Sequence, residues 1–179
     1  MALASGFTET ALVAGILSTA EERREELFAL LEKSFGPVLK VSPVFDFSFT
    51  DYYDAEMGSR PVRYVVLFRN LVDPSKLSAF KTESNRLEAL FSDPSGEGQG
   101  RRINIDPGLL SLSSFILATC KDRSHRIPLS DGIYAETTLI YKDGDFQALP
   151  WTYADWKSDA LRAVLRDFRN EYKKLLKNS

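Results

Sequence analysis

The chain has 179 residues, of which 44% are hydrophobic and 27% charged, and its formal net charge is −2. This composition is typical of a globular protein and excludes intrinsic disorder. The slightly acidic balance argues against a dedicated nucleic-acid binder, because such proteins obtain most of their affinity from basic side chains that neutralise phosphates. The chain contains one cysteine, so an internal disulfide and a multi-cysteine zinc site are also excluded.

The apolar segments of the chain are short. None approaches the roughly 20 residues that a membrane-spanning helix requires, so we expect no membrane partner. The first residues lack a basic region followed by a cleavable apolar run, which is the pattern of a secretory leader. We therefore expect a cytoplasmic protein, folded as a single domain over residues 1–179.

In the first half of the chain, strand and helix patterns alternate. Residues 11–17 are apolar and predict a short strand, and a helix follows whose apolar face is formed by Leu27, Leu30, Leu31 and Phe35. Gly36-Pro37 predicts the end of this helix. From residue 38 to residue 49 the apolar period changes to two, which predicts a strand with one buried side. Residues 62–72 are apolar at nearly every position, as expected of a central strand covered on both faces.

The next segments complete a known order of elements. Asp73-Pro74 predicts a helix start, with an N-cap and a proline at the first helical position. After that helix, residues 93–100 predict a glycine-bearing loop and residues 101–106 a further strand. The resulting order is βαββαβ, the ferredoxin-like split unit, and the predicted fold class is therefore α/β (α+β).

The second half of the chain extends this unit. The apolar density of residues 109–118 predicts a short buried helix, although it would also suit a strand. Residues 126–129 predict a strand, and residues 133–141 and 146–149 predict a β-hairpin around the tight turn Asp143-Gly144. Ser158 predicts the start of a final long helix, whose inward face is formed by Leu161, Val164, Leu165, Phe168, Tyr172 and Leu175.

Two common motifs of nucleotide binding and nucleophilic catalysis do not fit the sequence. The glycine-rich segment 96–100 is not followed by Gly-Lys-Ser/Thr, and the next predicted element is a strand, so it is not a phosphate-binding P-loop. Cys120 and His125 could form a thiolate pair. However, Cys120 ends an apolar run, where cysteine is usually a small core residue, and we therefore expect it to be structural.

Carboxylates and the one histidine concentrate between residues 104 and 136. Asn104 and Asp106 share one face of a predicted strand, and Tyr134 and Glu136 share one face of a later strand. Carboxylates and a histidine can bind a divalent cation or transfer protons. Asp106 and Glu136 are therefore candidate metal ligands, and His125 and Glu136 are candidate proton carriers.

The same stretch carries groups that could meet an anion. Guanidinium and ammonium groups match phosphate or carboxylate, which makes Arg102, Lys121 and Arg126 candidate ligand-binding residues. Further candidate ligand-binding residues of the same site are Asn104, Asp106, Asp131 and Tyr134. The aromatic and acidic connection 51–60 could supply a wall of the site, formed by Asp51 and Tyr52.

Each of these residues also has a structural interpretation. Asp106 precedes Pro107, which is the pattern of a helix cap, and Asp131-Gly132 is the pattern of a turn. A lone histidine such as His125 is more often a structural hydrogen-bonding residue than a ligand. What favours a shared site is the joint density of these groups in one stretch.

Five segments of the chain, taken together and in order, resemble the bacterial and archaeal family of domain of unknown function 4416. They are residues 49–58 (FTDYYDAEMG), 102–109 (RINIDPGL), 118–127 (ATCKDRSHRI), 132–141 (GIYAETTLIY) and 149–153 (LPWTY). In relatives the segment 118–122 is similar to Ala-Thr-Thr-Lys-Asp, which implies that Cys120 is replaceable. Some relatives carry the label "GTP-binding protein", but this sequence contains no P-loop motif that would support it.

The leading hypothesis for function is a site for a small anionic or nucleotide-like ligand, with a metal-assisted hydrolase or transferase as its enzymatic form. The alternative is a binding or assembly module without chemistry, because ferredoxin-like units often serve as scaffolds. A third hypothesis, RNA binding on an open sheet face, requires exposed aromatic side chains beside basic ones, and the acidic balance disfavours it. The two leading hypotheses differ in whether the polar residues converge on one concave pocket.

Overall fold

The computed structural model describes residues 3–47, 61–92 and 100–178. In these ranges nine strands form one antiparallel sheet, and three α-helices pack against it, so the protein has a mixed α/β fold. The strands are β1 (Thr10–Ser18), β2 (Val38–Val41), β3 (Phe45–Asp46), β4 (Val62–Val72), β5 (Ile103–Leu110), β6 (Ser114–Thr119), β7 (Ile127–Pro128), β8 (Tyr134–Lys142) and β9 (Asp145–Ala148). The helices are α1 (Arg24–Phe35), α2 (Leu77–Ala89) and α3 (Asp159–Asn178).

The sheet has the strand order β2-β4-β1-β5-β6-β8-β7, with β3 beside β4 and β9 beside β8. The two central strands, β1 and β4, are apolar and largely buried on both faces, as the sequence predicts for β4. They pair over almost their full length, from Thr10 opposite Val72 to Ser18 opposite Val62.

The helices cover both faces of the sheet. Helices α1 and α2 pack on one face, where Leu27, Leu31 and Leu87 join a core with Ile16 and Val66. On the other face lies the amphipathic helix α3, against a second core that includes Val65, Leu67, Phe115 and Trp156. Of the helices in the described ranges, none is both long and apolar enough to cross a membrane.

Several predicted helix ends and turns are confirmed. The Asp73 side chain accepts a hydrogen bond from the Ser75 N–H at 2.8 Å, as an N-cap does. Gly36, with a φ of 91°, ends α1. Asp143 and Gly144, with φ values of 53° and 86°, form the left-handed turn between β8 and β9.

The predicted helix over residues 109–118 is wrong, because this segment is the end of β5, a turn and β6. The Ser111 hydroxyl makes the turn by accepting the N–H groups of Ser113 and Ser114 at 3.1 and 2.9 Å. The predicted strand 101–106 is correspondingly too short, since β5 runs through Pro107 to Leu110. Asp106 is therefore not a helix cap but a residue in the middle of a strand.

The predicted strand over residues 38–49 is also divided. It forms the short strands β2 and β3, and residues 48 and 49 lie outside the described ranges. A bulge in the pairing of β2 with β4 interrupts the period of two. As a result, Leu39 packs towards the α3 side of the sheet and Val41 towards the α1 side, so they do not share a face.

Candidate functional site

The sheet opens between β5 and β6. These strands pair only where Gly108, Leu109 and Leu110 lie opposite Leu117, Ile116 and Phe115. Among the described strands, none pairs with the β6-facing side of residues 103–107. A cavity of about 600 Å³ lies at this gap. It is lined by side chains from α2 on one face of the sheet and from the segment before α3 on the other.

Two charged side chains of α2 replace the missing strand. The Lys81 ammonium donates to the carbonyl oxygen of Ile105 at 2.8 Å, and the Glu88 carboxylate accepts the Ile105 N–H at 2.7 Å. The two side chains, 6% and 8% exposed, also approach each other at 3.5 Å. They thereby satisfy backbone groups of β5 that would otherwise be buried without partners.

The charge state of this pair follows from its surroundings. Burial works to lower the pKa of Lys81, but Asp106 and Glu88 outweigh it and raise the pKa, so the ammonium stays charged. Burial raises the pKa of Glu88, against the opposing effect of Lys81 and Arg101. Each of these two groups therefore favours the charged form of the other inside the protein.

A polar chain continues from this pair along β5. Asp106 lies 3.4 Å from the Lys81 ammonium and accepts the Asn104 amide at 2.7 Å. The Asn104 amide oxygen in turn accepts from the Arg101 guanidinium. Asn104 and Asp106 thus share one face of the strand, as predicted, and both line the cavity.

A buried ion pair lies at the α3 side of the cavity. Arg63 of β4 binds Asp155, with its Nε 3.1 Å from the Asp155 Oδ2, and both side chains are 5% exposed. The Arg63 guanidinium also lies over Trp156, 5.2 Å from the ring centroid. Gly15 makes this approach possible, since a Cβ there would lie 2.8 Å from the Trp156 ring and 3.0 Å from the Arg63 Nη1.

The third part of the cavity wall is a network around Glu136 of β8. Its Oε2 accepts from the Arg126 Nε at 2.7 Å and lies 3.0 Å from the His125 Nε2. Arg126 also donates to the Tyr153 hydroxyl at 2.8 Å. Burial works to lower the pKa of Arg126, but its hydrogen bonds with Glu136 and Tyr153 outweigh it and raise the pKa.

His125 stacks on Trp151, with ring centroids 4.8 Å apart and an angle of 11° between the rings. The Trp151 indole N–H donates to the carbonyl oxygen of Thr137 at 2.9 Å, which fixes the indole against β8. Trp151 and Tyr153 remain 38% and 45% exposed, so this aromatic wall is partly open to solvent.

The described residues that line the cavity have an excess of positive charge, although the chain as a whole does not. Six of these described residues are basic and three are acidic: Arg63, Lys81, Arg101, Lys121, Arg123 and Arg126 against Asp106, Glu136 and Asp155. Within the part of the chain that the structure describes, three lining residues have a buried polar atom that forms no hydrogen bond: Arg63 (Nη1), Arg101 (Nε) and Glu136 (Oε1). The Arg101 Nε lies 3.7 Å from the Glu88 Oε2. These atoms have almost no exposed surface of their own, so a ligand reaches them only when the side chains shift.

The structure brings together six of the residues that the sequence predicts for the site. They are Asn104, Asp106, Lys121, His125, Arg126 and Glu136. Three others do not line the cavity. Arg102 instead binds the Glu22 carboxylate at 2.7 Å, Asp131 lies in an exposed left-handed turn with a φ of 57°, and Tyr134 begins β8 opposite Thr119. Asp51 and Tyr52 lie outside the described residues, as does most of the glycine-rich segment 96–100.

Cys120 is not the core residue that the sequence predicts. It is exposed and lines the cavity, where its sulfur accepts the Asn85 amide at 3.4 Å. The apolar run before it is β6, which ends at Thr119, so Cys120 already lies beyond the strand.

The predicted metal ligands, Asp106 and Glu136, are each held by cationic side chains. In the part of the chain that the structure describes, no group of three or more His, Cys, Asp or Glu side chains is arranged to hold a metal ion. The geometry therefore gives the divalent-cation form of the hypothesis no support in these residues.

Sequence reasoning missed Lys81, Glu88, Arg63 and Asp155. A signal for the first two was present: Lys81 and Glu88 follow Leu77 at helical spacings of four and eleven residues, so charged residues fall on a buried helix face. The signal for Arg63 is a charged residue among the apolar residues at the start of a central strand, whose other charged residue, Arg69, lies near its exposed end. Asp155 carried no signal, because its role depends on the fold of the segment before α3.

Comparison with other proteins identifies the family of the chain but gives no function for it. No curated protein and no solved structure matches the chain. The model of one family, described as a domain of unknown function (DUF4416), matches residues 8–172. The matched range includes every described residue that lines the cavity. The chain therefore belongs to the DUF4416 family.

Proposed function

We propose that the cavity at the gap between β5 and β6 binds a small anionic ligand, and that a nucleotide-like anion suits it best. The observation that carries this proposal is the excess of basic over acidic side chains around a concave space in a chain of net charge −2. A positive cleft with low-dielectric walls attracts anions and concentrates them.

The size and composition of the cavity support this proposal. A volume of about 600 Å³ is within the range of small-molecule sites in proteins. Arg101 and Arg63 each have an N–H, at Nε and Nη1, that forms no hydrogen bond with the described residues, although the Arg101 Nε lies 3.7 Å from the Glu88 Oε2. Guanidinium groups of this kind are donors that an anion could use. The aromatic wall of His125 and Trp151 offers a planar ring a surface to stack on, which favours a nucleotide-like ligand over a simple ion.

The test is a thermal-shift screen with inorganic phosphate, pyrophosphate, phosphorylated sugars and nucleotides, with and without Mg²⁺. A ligand at 100 times its Kd adds about 2.7 kcal/mol, which for a chain of this length raises the Tm by about 5–10 °C. The Arg101→Ala and Arg123→Ala variants should lose most of the shift. Arg86→Ala removes an exposed arginine that does not line the cavity and should keep it. A screen in which no anion raises the Tm would contradict the proposal.

A second candidate is acid–base catalysis on the bound anion. Its support is the contact between the His125 Nε2 and the Glu136 Oε2 at 3.0 Å, since a carboxylate that orients an imidazole is a common arrangement in proton transfer. His125 would carry the proton and Glu136 would position it. Hydrolysis of phosphate esters that is lost in His125→Asn but not in Arg86→Ala would favour this candidate, whereas binding without turnover would favour a binding module.

We also propose that the elements up to β5 form a ferredoxin-like unit. Its support is the element order together with the sheet order β2-β4-β1-β5, in which every neighbouring pair is antiparallel. In such a unit β5 is an edge strand. The strands from β6 onwards extend the sheet from that edge, and the cavity lies where the extension begins. An experimental structure compared with known ferredoxin-like folds would test this assignment.

A further inference from the structure

Among the described residues, the Glu136 carboxylate has hydrogen-bond partners at only one of its two oxygens. Its side chain is 2% exposed, and both of its partners, Arg126 and His125, lie at the same oxygen, Oε2. The other oxygen, Oε1, is buried and forms no hydrogen bond with any residue in the described ranges, and Glu136 lines the cavity. A carboxylate can accept several hydrogen bonds, and leaving a buried oxygen without a donor is costly. Because Oε1 itself has almost no exposed surface, the Glu136 side chain has to shift for an occupant of the cavity to supply the missing donor.

The surroundings of Glu136 indicate what kind of donor this is. Arg126 already neutralises the carboxylate at 2.7 Å, and the lining of the cavity as a whole is positively charged. A cationic ammonium group would be repelled by that lining. A neutral hydroxyl or amine donates a hydrogen bond without adding positive charge, so it fits this position better.

The sheet register places Glu136 far from the polar chain on β5. Glu136 lies opposite Leu117, and Leu117 lies opposite Gly108, two residues beyond Asp106. Two strand spacings across and two residues along correspond to about 12 Å between the Glu136 and Asp106 positions. One inorganic ion cannot reach both ends of a site of this length, whereas an organic molecule of modest size can.

We infer that the ligand is an organic anion whose acidic group meets the Arg101 end of the cavity and whose neutral hydroxyl or amine group donates to the Glu136 Oε1. This inference rests on the proposed anion site and narrows its ligand class. Glu136 is then a specificity-determining residue, and phosphate or pyrophosphate alone is a poor ligand.

The test is isothermal titration calorimetry with phosphate monoesters that differ in the donor. Ribose 5-phosphate supplies neutral hydroxyls, adenosine 5′-monophosphate adds a neutral amine, n-pentyl phosphate has no donor beyond the phosphate, and 5-aminopentyl phosphate carries an ammonium group. We expect at least one of the first two to bind ten- to a hundredfold more tightly than the last two, which is the range for a hydrogen bond to a charged group. Purine riboside 5′-monophosphate lacks only the amine of adenosine 5′-monophosphate, so comparing these two isolates an amine donor from ring stacking. Comparing ribose 5-phosphate with n-pentyl phosphate isolates a hydroxyl donor.

The Glu136→Gln variant should lose most of this preference, while Glu83→Gln, which removes a carboxylate outside the cavity, should keep it. If the wild-type protein binds n-pentyl phosphate as tightly as both donor-bearing esters, the inference is overturned although the anion site stands. If it binds none of these phosphates, the anion site itself fails. The wild-type comparisons of ribose 5-phosphate with n-pentyl phosphate, and of adenosine 5′-monophosphate with purine riboside 5′-monophosphate, decide this question even if Glu136→Gln does not fold.

Discussion

The Lys81 ammonium binds the carbonyl oxygen of Ile105 at 2.8 Å, in the place where a neighbouring strand would supply an N–H group. The Glu88 carboxylate accepts the N–H of the same residue at 2.7 Å. A helix thus completes the edge of a strand with two opposite charges. The arrangement holds β5 against α2 while the space beside it stays open.

Removing either charge of this pair should destabilise the protein severely. Lys81→Met removes the cation beside the buried Glu88, which then keeps the Ile105 N–H at 2.7 Å and Arg101 at 3.7 Å, and it leaves the Ile105 carbonyl without its donor. The loss of one member of a buried pair costs about 3–5 kcal/mol. Urea unfolding followed by circular dichroism measures this loss. Arg86→Ala, which breaks the exposed pair with Glu83, should cost under about 1 kcal/mol. Equal costs for the two variants would contradict the role given to Lys81.

Gly108 should not tolerate a side chain. A Cβ there would lie 2.7 Å from the Phe115 ring and 2.8 Å from the carbonyl oxygen of Ile116, and a backbone oxygen in a paired strand cannot rotate away. Gly108→Ala should therefore lower the free energy of unfolding by about 1–3 kcal/mol, the usual cost of overpacking. Gly6→Ala is the matched control, since a Cβ at Gly6 meets nothing within 4 Å. Denaturant unfolding of both variants decides whether β5 and β6 meet as described.

The two tryptophans should differ in their access to solvent. Trp151 is 38% exposed at the cavity wall, whereas Trp156 is 1% exposed. In the single-tryptophan variants Trp156→Phe and Trp151→Phe, acrylamide should quench the fluorescence of Trp151 several-fold more strongly than that of Trp156. A ligand that stacks at the wall should protect Trp151 and leave Trp156 unchanged. Similar quenching of both residues would show that the segment before α3 is placed differently.

Acid should weaken the contact between α1 and α2. Hydrogen bonds from Arg86 and then from Ser34 lower the pKa of Glu83 from 4.5 to about 2. Because the folded state holds the carboxylate ionised, its contribution is complete above pH 4.5 and is lost as the pH falls towards 2. The stability difference between the wild type and Glu83→Gln should therefore shrink over this pH range. A difference that stays constant down to pH 2 would rule out the lowered pKa.

Much of the fold could be predicted from local patterns. The central strand β4, the Asp73 cap and the hairpin around Asp143-Gly144 follow from apolar runs and turn chemistry that act over a few residues. Residues 109–118 could not be assigned in this way, because a short apolar run suits either a helix or a buried strand. The pairing of β5 with β6 decides between them, and that pairing depends on the whole sheet.

The candidate site was partly predictable for the same reason. Six of the predicted residues meet because β5, the 119–126 segment and β8 are neighbours at the gap. Arg102 and Asp131 do not join them, since side-chain direction and turn position depend on register rather than on proximity in sequence. Lys81 and Asp155 come from distant parts of the chain that meet the cavity only in the folded protein.

The segment from residue 149 to residue 158 links the cavity to α3. Thr152 and Trp156 are buried, and Asp155 is paired with Arg63, so the segment holds the start of the last helix against the sheet. A ligand that binds Trp151 and Tyr153 would stabilise the packing of α3 against the sheet by its binding free energy. The backbone amides of α3 would then exchange with solvent more slowly in the complex, at a distance from any atom the ligand touches.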